Sequence, residues 1–241
     1  MNIAALQQAV LEANQQISLL GLAVYTFGNA SGILRDDGTG QSVVAIKPSG
    51  VSYAKLSAAD IVLTDLDGRV LKGELRPSSD LDTHLFLYRE FPSIGGIVHA
   101  HSEFATAWAQ AQKPIPCFGT THADYFHGEV PVTTALAAED VNHDYVRNTG
   151  RVIVEHFRNH SLDVKAVPGV LVAGHAPFAW GATPADAVEN ADLLEFIARL
   201  AYRTVALDGP AEGIAAHLRD FHYGRKHGAR ATYGQKPLPG K

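Results

Sequence analysis

Two histidines one residue apart, His99 and His101, stand inside the apolar run FPSIGGIVHAHSEFA, which constrains the chain more than any other stretch. Ile97-Val98 favours a strand, and strand side chains alternate between faces, so positions i and i+2 share one side. Both imidazoles then converge at a strand end, a geometry that suits a metal, and a third ligand must come from far away in sequence. His175 is the candidate, because it stands where the strand GVLVAG runs out, as the pair does after its own strand. Three neutral imidazoles with open positions describe a catalytic zinc or similar divalent site. A lone histidine at a strand end is more often a hydrogen-bonded core residue. Spacing alone does not join His175 to the pair.

The rest of the composition narrows the class. At 241 residues the chain fits one large α/β domain, spanning 1–241 with no repeat, linker or low-complexity segment. A 46% hydrophobic content is ample for a core, and a net charge of −5 with scattered Lys and Arg argues against a nucleic-acid surface. Cys117 is the single cysteine, so neither an intrachain disulfide nor a thiolate metal cluster is possible. The N-terminus lacks a basic region followed by an apolar one, and no apolar run approaches the ~20 residues that span a bilayer. A soluble, cytoplasmic protein without membrane contact is expected. The 12 histidines are the unusual feature, and acid–base or metal chemistry should be sought among them.

Along the chain, the apolar spacing predicts a helix over 3–20 stopped by Gly21, a strand over 22–27, and a turn at Gly28-Asn29-Ala30-Ser31-Gly32. A hairpin tip at 35–41 leads to a strand at 42–46. A short helix near 57–60 precedes two strands joined at Asp67-Gly68. Ser78-Ser79-Asp80 reads as a cap opening a helix to Arg89. The histidine strand follows, then a helix from Ser102 and an extended connection from Pro114 to His122. Residues 137–147 read as a helix leaving through Asn148-Thr149-Gly150, with Arg151 opening a strand. Residues 168–180 read as a buried strand and a loop. Thr183-Pro184-Ala185-Asp186 has a threonine cap, proline at the first helical position and a capping-box acid, and opens a helix to about Ala206. A last helix covers 214–227. The expected architecture is α/β, with helices flanking a central, mostly antiparallel sheet.

Small-residue turns supply the second set of candidates. Gly28-Asn29, Ser49-Gly50 and Ser78-Ser79 offer hydroxyls, amides and backbone N–H groups, and Lys47 adds a positive charge beside the second. Each alone reads as an ordinary turn or cap; together they suggest a phosphate pocket. Asp124, in the polar and aromatic loop GTTHADYFHG, reads unaided as a surface or capping residue. Tyr233 lies in a tail, where disorder is the default. The residues themselves support a metal site and an anion pocket in an α/β protein, without giving a reaction.

The motifs FGNASG, IKPSGV, RPSSD, FPSIGGIVHAHS, GTTHADYFHG, PGVLVAGHAPFAWG and RKHGARATYGQ, in that order, resemble the class II aldolase/adducin family over nearly the whole chain. GTTHADYF and TYGQ resemble in particular its epimerase branch, which acts on L-ribulose 5-phosphate. The resemblance implies a class II aldolase-like fold and a zinc, or manganese or cobalt, held by His99, His101 and His175 with Asp80 as an added or nearby carboxylate ligand. It implies substrate contacts from Gly28, Asn29, Ser49, Gly50, Ser78 and Ser79, with Lys47 close by. Asp124 and Tyr233 carry over as an acid–base pair. It further implies a homotetramer with sites between subunits, the 229–241 tail ordered against a neighbour whose metal Tyr233 would serve. The implied reaction inverts carbon 4 of a pentulose phosphate by cleaving and remaking the C3–C4 bond, because C4 carries no acidic C–H. Where family aldolases that cleave fuculose phosphate have a glutamate, this chain has Asp80, as the epimerases do. A fuculose-type aldolase, a sugar-acid phosphate decarboxylase and a non-enzymatic adducin-like module are the other readings.

Overall fold

The computed structural model describes residues 2–35, 41–227 and 231–232. Seven strands form one sheet in the order β4-β3-β2-β1-β5-β7-β6, every neighbouring pair antiparallel. They are β1 (Asn29–Arg35), β2 (Ser42–Ile46), β3 (Val62–Thr64), β4 (Val70–Lys72), β5 (Gly96–His99), β6 (Gly169–Leu171) and β7 (Pro177–Gly181). The helices are α1 (Ile3–Leu19), α2 (Leu81–Glu90), α3 (Glu103–Gln110), α4 (Thr120–Ala123), α5 (Ala138–Asn159), α6 (Pro184–Asp208) and α7 (Ala216–His227). Among the described residues no helix is long and apolar enough to cross a membrane.

Strand alternation sorts the sheet into two unlike faces. Ala30, Ala45, Val98 and Ala179 point one way, and their small side chains let α1 and α6 pack closely through Leu6, Val10, Ala187 and Ala191. The intervening residues Ile33, Val44, Ile97, Phe178 and Trp180 point the other way and build the larger core against α2, α3 and α5. In that core the Trp180 ring lies 5.2 Å from Phe157 and 5.5 Å from Phe91. His99 follows the same alternation and falls on the Ile97 and Phe178 face. β5 therefore delivers it to the sheet end beside α2 rather than α1.

Several expectations need correction. Residues 22–27 form no strand. The chain turns back on the end of α1, where Leu22 and Ala23 donate to Ile17 O, and the strand starts at Asn29. Residues 29–32, expected as part of a turn, are strand residues; Ala30 and Gly32 face α1 and α6, where a Cβ on Gly32 would meet Pro184, Leu6 and Val10, and Asn29 and Ser31 face the α2 side. Gly150 does not end a helix. α5 runs on to Asn159, and a Cβ at Gly150 would stand 2.8 Å from Phe86 Cβ, so its role is the close approach of α5 to α2. The apolar run Val152-Ile153-Val154, expected as a strand, is a buried helical turn. Residues 168–180 hold two strands, β6 and β7, and His175 lies in the turn between them. The connection 114–122 is extended only as far as Gly119, with α4 beginning at Thr120.

Candidate metal centre and substrate pocket

The register of the sheet assembles the centre. His99 ends β5, paired with Asn29 of β1 on one side and Phe178 of β7 on the other. Phe178 stacks on the His99 ring at 4.2 Å and 13°, which fixes the ring plane. Its Nδ1 donates to Pro177 O at 3.0 Å, which leaves Nε2 free. His101 follows β5, and His175 comes from the β6–β7 turn. The three ring centroids lie 4.9–5.1 Å apart, and one nitrogen from each falls within 4.8 Å of the others. His99 is buried and the other two are half-buried. Burial lowers the pKa of all three. His175 is pushed down to about 4 by burial and by its two neighbours. The rings are therefore neutral near pH 7, the state in which imidazole binds a metal. This donor set fits a zinc-like divalent ion.

Asp80 joins this cluster from α2. It occupies the cap position of that helix but makes no capping bond, because its carboxylate turns aside. Asn29 Nδ2 donates to Asp80 Oδ2 at 2.6 Å and also lies 3.0 Å from Ser78 Oγ. Burial pushes the Asp80 carboxyl pKa up, but His99, His84 and the Asn29 amide more than offset it and hold it below the ordinary range. The triad that converges within 4.8 Å is of histidines alone; Asp80 lines the cavity beside it.

The three small-residue turns enter the same cavity of about 310 Å³, with Gly28 and Asn29, Ser49 and Gly50, and Ser78 and Ser79 in its wall with the histidines. Two of the turns are stitched together: Ser49 N donates to Arg76 O and Ser78 N to Lys47 O, both at 2.9 Å. Lys47 is buried to 2% exposure, its Nζ donating to Pro48 O and lying 4.9 Å over the Tyr53 ring. Burial lowers its pKa, and Asp80 works against that. Gly28 has φ +80°, and a Cβ there would meet His99 O at 2.7 Å. Neutral imidazoles, hydroxyls and one ammonium together make a pocket for an oxygen-rich anion.

Asp124 stands elsewhere. It caps the end of α4, where its Oδ1 accepts from His222 Nδ1 of α7 at 2.9 Å, and its carbonyl accepts from His227 Nε2 at 2.8 Å. It does not line the three-histidine cavity. Tyr233 lies outside the described residues.

Two further side chains touch the candidates. Tyr145 Oη lies 3.2 Å from His175 Nδ1, presented where Asp144 breaks the helical backbone of α5. His222 holds Asp124. Neither has a local signal, because the partners are 30 and 98 residues away; only the abundance of histidine hinted at His222.

Residues 8–202 match the family model of the Class II Aldolase and Adducin N-terminal domain, and the chain belongs to that family. Its fold is similar to that of an L-fuculose 1-phosphate aldolase, with TM-score 0.75 and 23% identity over 93% of this chain and 97% of that one. It is also similar to YgbL from Klebsiella pneumoniae, assigned only as far as aldolase, epimerase or decarboxylase, with TM-score 0.71 and 23% identity over 92% and 99%. The L-fuculose-1-phosphate aldolase from Thermus thermophilus gives 0.64 and 24% over 86% and 98%.

Proposed function

We propose that this protein is a zinc-dependent epimerase that interconverts L-ribulose 5-phosphate and D-xylulose 5-phosphate. The observation that carries the reading is one cavity in which three neutral imidazoles and Asp80 meet three anion-suited turns and a buried lysine. Asp80, engaged by Asn29 and one methylene shorter than the glutamate that is the working base in fuculose-phosphate aldolases of the family, supports epimerisation over aldol cleavage. The motif GTTHADYF supports the same branch.

His99, His101 and His175 would hold the metal, with Asp80 as a fourth or adjacent ligand. Manganese or cobalt would satisfy the same donors. A divalent ion there supplies a Lewis acid for the negative charge that develops as a carbon–carbon bond breaks. Ser49, Gly50, Ser78 and Ser79, with Gly28, Asn29 and Lys47, orient the phosphate and hydroxyls. A base takes the C4 hydroxyl proton, and the C3–C4 bond opens to a three-carbon fragment keeping the electron pair and to glycolaldehyde phosphate. The aldehyde rotates, the bond reforms on its other face, and an acid protonates the new alkoxide. That sequence needs a proton-transfer group on each face of the aldehyde, the roles of Asp124 and Tyr233.

Because Asp124 does not line its own chain's cavity, we assign both groups to a neighbour's site in a cytoplasmic homotetramer, with the 229–241 tail docked on that neighbour. Apolar surface supports this assembly: Phe27 at the cavity wall is 59% exposed, Tyr25 beside it 83%, and Phe221 next to His222 63%. Mixing subunits tests it. His99→Asn and Asp124→Asn are each expected to abolish turnover alone, Asp124→Asn keeping its metal. Co-refolded hybrids regain a fraction of the activity, because one chain supplies intact histidines and the other Asp124. No recovery in hybrids proven by native mass spectrometry would refute the shared site, and metal loss in Asp124→Asn would make Asp124 structural.

A further inference from the structure

A second cavity, of about 490 Å³, opens at the other end of α5 from the three-histidine centre, with Cys117, Glu129, His156, His160 and Arg219 in its wall. Tyr145, near the start of that helix, reaches His175. His156 follows about three turns later, roughly 16 Å along the axis at the α-helical rise, so the two places cannot share an ion.

His156 and His160 are four residues apart and share one helix face. Their rings lie 4.2 Å apart at 23°. His160 is the C-cap of α5, and its Nδ1 donates to His156 O at 2.9 Å. A carbonyl only accepts, so the neutral ring carries its proton on Nδ1 and keeps the lone pair on Nε2. Histidines that bind metals are commonly held this way, and Pro177 O does the same for His99. The His156 ring touches His160 and bonds to no other group among the described residues. Burial, and then His160, lower its pKa, which favours the neutral form that a metal needs. Both rings stand at the last turn of a long helix, whose carbonyl end attracts a cation.

Neighbouring groups are engaged elsewhere. Asp220 Oδ1 accepts from Arg219 Nε and from His127 Nε2, both at 2.9 Å. Cys117 Sγ lies 3.8 Å from Gly119 O, and burial raises its pKa away from the thiolate. Arg158, between the two histidines in sequence, pairs with Glu90. Apart from the three-histidine centre, no three His, Cys, Asp or Glu side chains converge among the described residues. The donors here are therefore two imidazoles.

We propose that His156 and His160 form a second, weaker metal site: a two-imidazole chelate at the end of α5 for a divalent late transition ion such as Ni²⁺, Cu²⁺ or Zn²⁺, with water in the remaining positions. Imidazole suits all three ions. Binding opens the ring stack and turns one nitrogen of each ring onto the ion. The site is independent of the reaction at the three-histidine centre.

The test is calorimetric titration of Ni²⁺ into the full chain after loading with Zn²⁺. One further ion per chain is expected. His160→Ala, at an exposed position, should weaken it roughly 100-fold, because a chelate that loses one arm keeps only a single imidazole. His156→Gln should cost as much, and the two substitutions together little more than either alone. His143→Ala, exposed on the same helix, should change nothing. No further Ni²⁺ bound, an affinity unaltered by His160→Ala, additive losses in the double variant, or an equal loss in His143→Ala would each overturn the proposal. Repeating the titration in His99→Asn keeps the two metal readings apart: the α5 site should survive there, whatever becomes of the zinc.

Discussion

At the scale of single residues, the geometry of the three-histidine group depends on the side chains and carbonyls that hold each ring. Pro177 O fixes the tautomer of His99, and Tyr145 is placed to do the same for His175. Losing such a contact typically costs roughly 10- to 100-fold in metal affinity. Tyr145→Phe, which keeps the ring packing, is expected to bind Zn²⁺ about 10-fold more weakly with an unchanged circular dichroism spectrum. Unchanged affinity would mean that the phenol does not orient His175. The three histidines stood out in the sequence because two lie at strand spacing and the third ends a matching apolar run, but it is the fold that brings their rings within 4.9–5.1 Å of one another. Their holders did not stand out. A hydrogen bond between Tyr145 and His175 is a product of the fold and leaves no trace in either neighbourhood. Asp124 shows the limit in another way: its motif marked it as a candidate, but its place against α7 rather than in the cavity is set by a contact with His222, 98 residues away.

At the scale of elements, the sequence reading succeeded where one signal dominated and failed where two meanings share a residue type. Thr183 caps α6 as expected, its Oγ1 accepting from Asp186 N at 3.2 Å. Glycine misled. Gly150 has the composition of a helix exit but the job of a close helix contact, and nothing local separates those uses. Val152-Ile153-Val154 has strand propensity but is buried as a helical turn, a case of tertiary packing overriding propensity. The same close-contact logic makes Gly96 a sensitive position. A Cβ there would lie 2.5 Å from the backbone of Thr183 and Pro184 at the start of α6. Gly96→Ala should push β5 from α6 and cost about 1–3 kcal/mol or more, by the usual scale of overpacking. Urea denaturation checks this, and a cost under about 0.5 kcal/mol, within the range of a neutral surface change, would mean that α6 yields easily.

At the scale of the whole molecule, histidine burial links stability to pH. His84 and His122 are buried, with pKa values pushed down to about 3 and about 4. In the unfolded chain each takes a proton near pH ~6.5. Above that pH neither state is protonated at these rings, and stability sits on a plateau. Below it the unfolded state gains protons that the folded state refuses until about pH 4 for His122 and about pH 3 for His84. Each group therefore withdraws up to ~1.4 kcal/mol per pH unit across its window. The urea midpoint of the metal-free protein should hold steady from about pH 8 to 7 and fall from about pH 6 to 4.5; a flat profile would mean the rings are protonated in the fold. The alternation of small and large strand residues, which places α1 and α6 on one face and the wider core on the other, was only partly legible. Ala30, Gly32 and Ala45 declare small size but not which helix fills the space above them.

The central claim is that the three-histidine cavity serves epimerisation at carbon 4. The direct measurement is product analysis by NMR after incubating the zinc-loaded protein with L-ribulose 5-phosphate. D-xylulose 5-phosphate is the expected product, formed only with the divalent metal and lost in His99→Asn. Accumulation of dihydroxyacetone and glycolaldehyde phosphate without D-xylulose 5-phosphate would contradict it, as would recovery of the substrate unchanged.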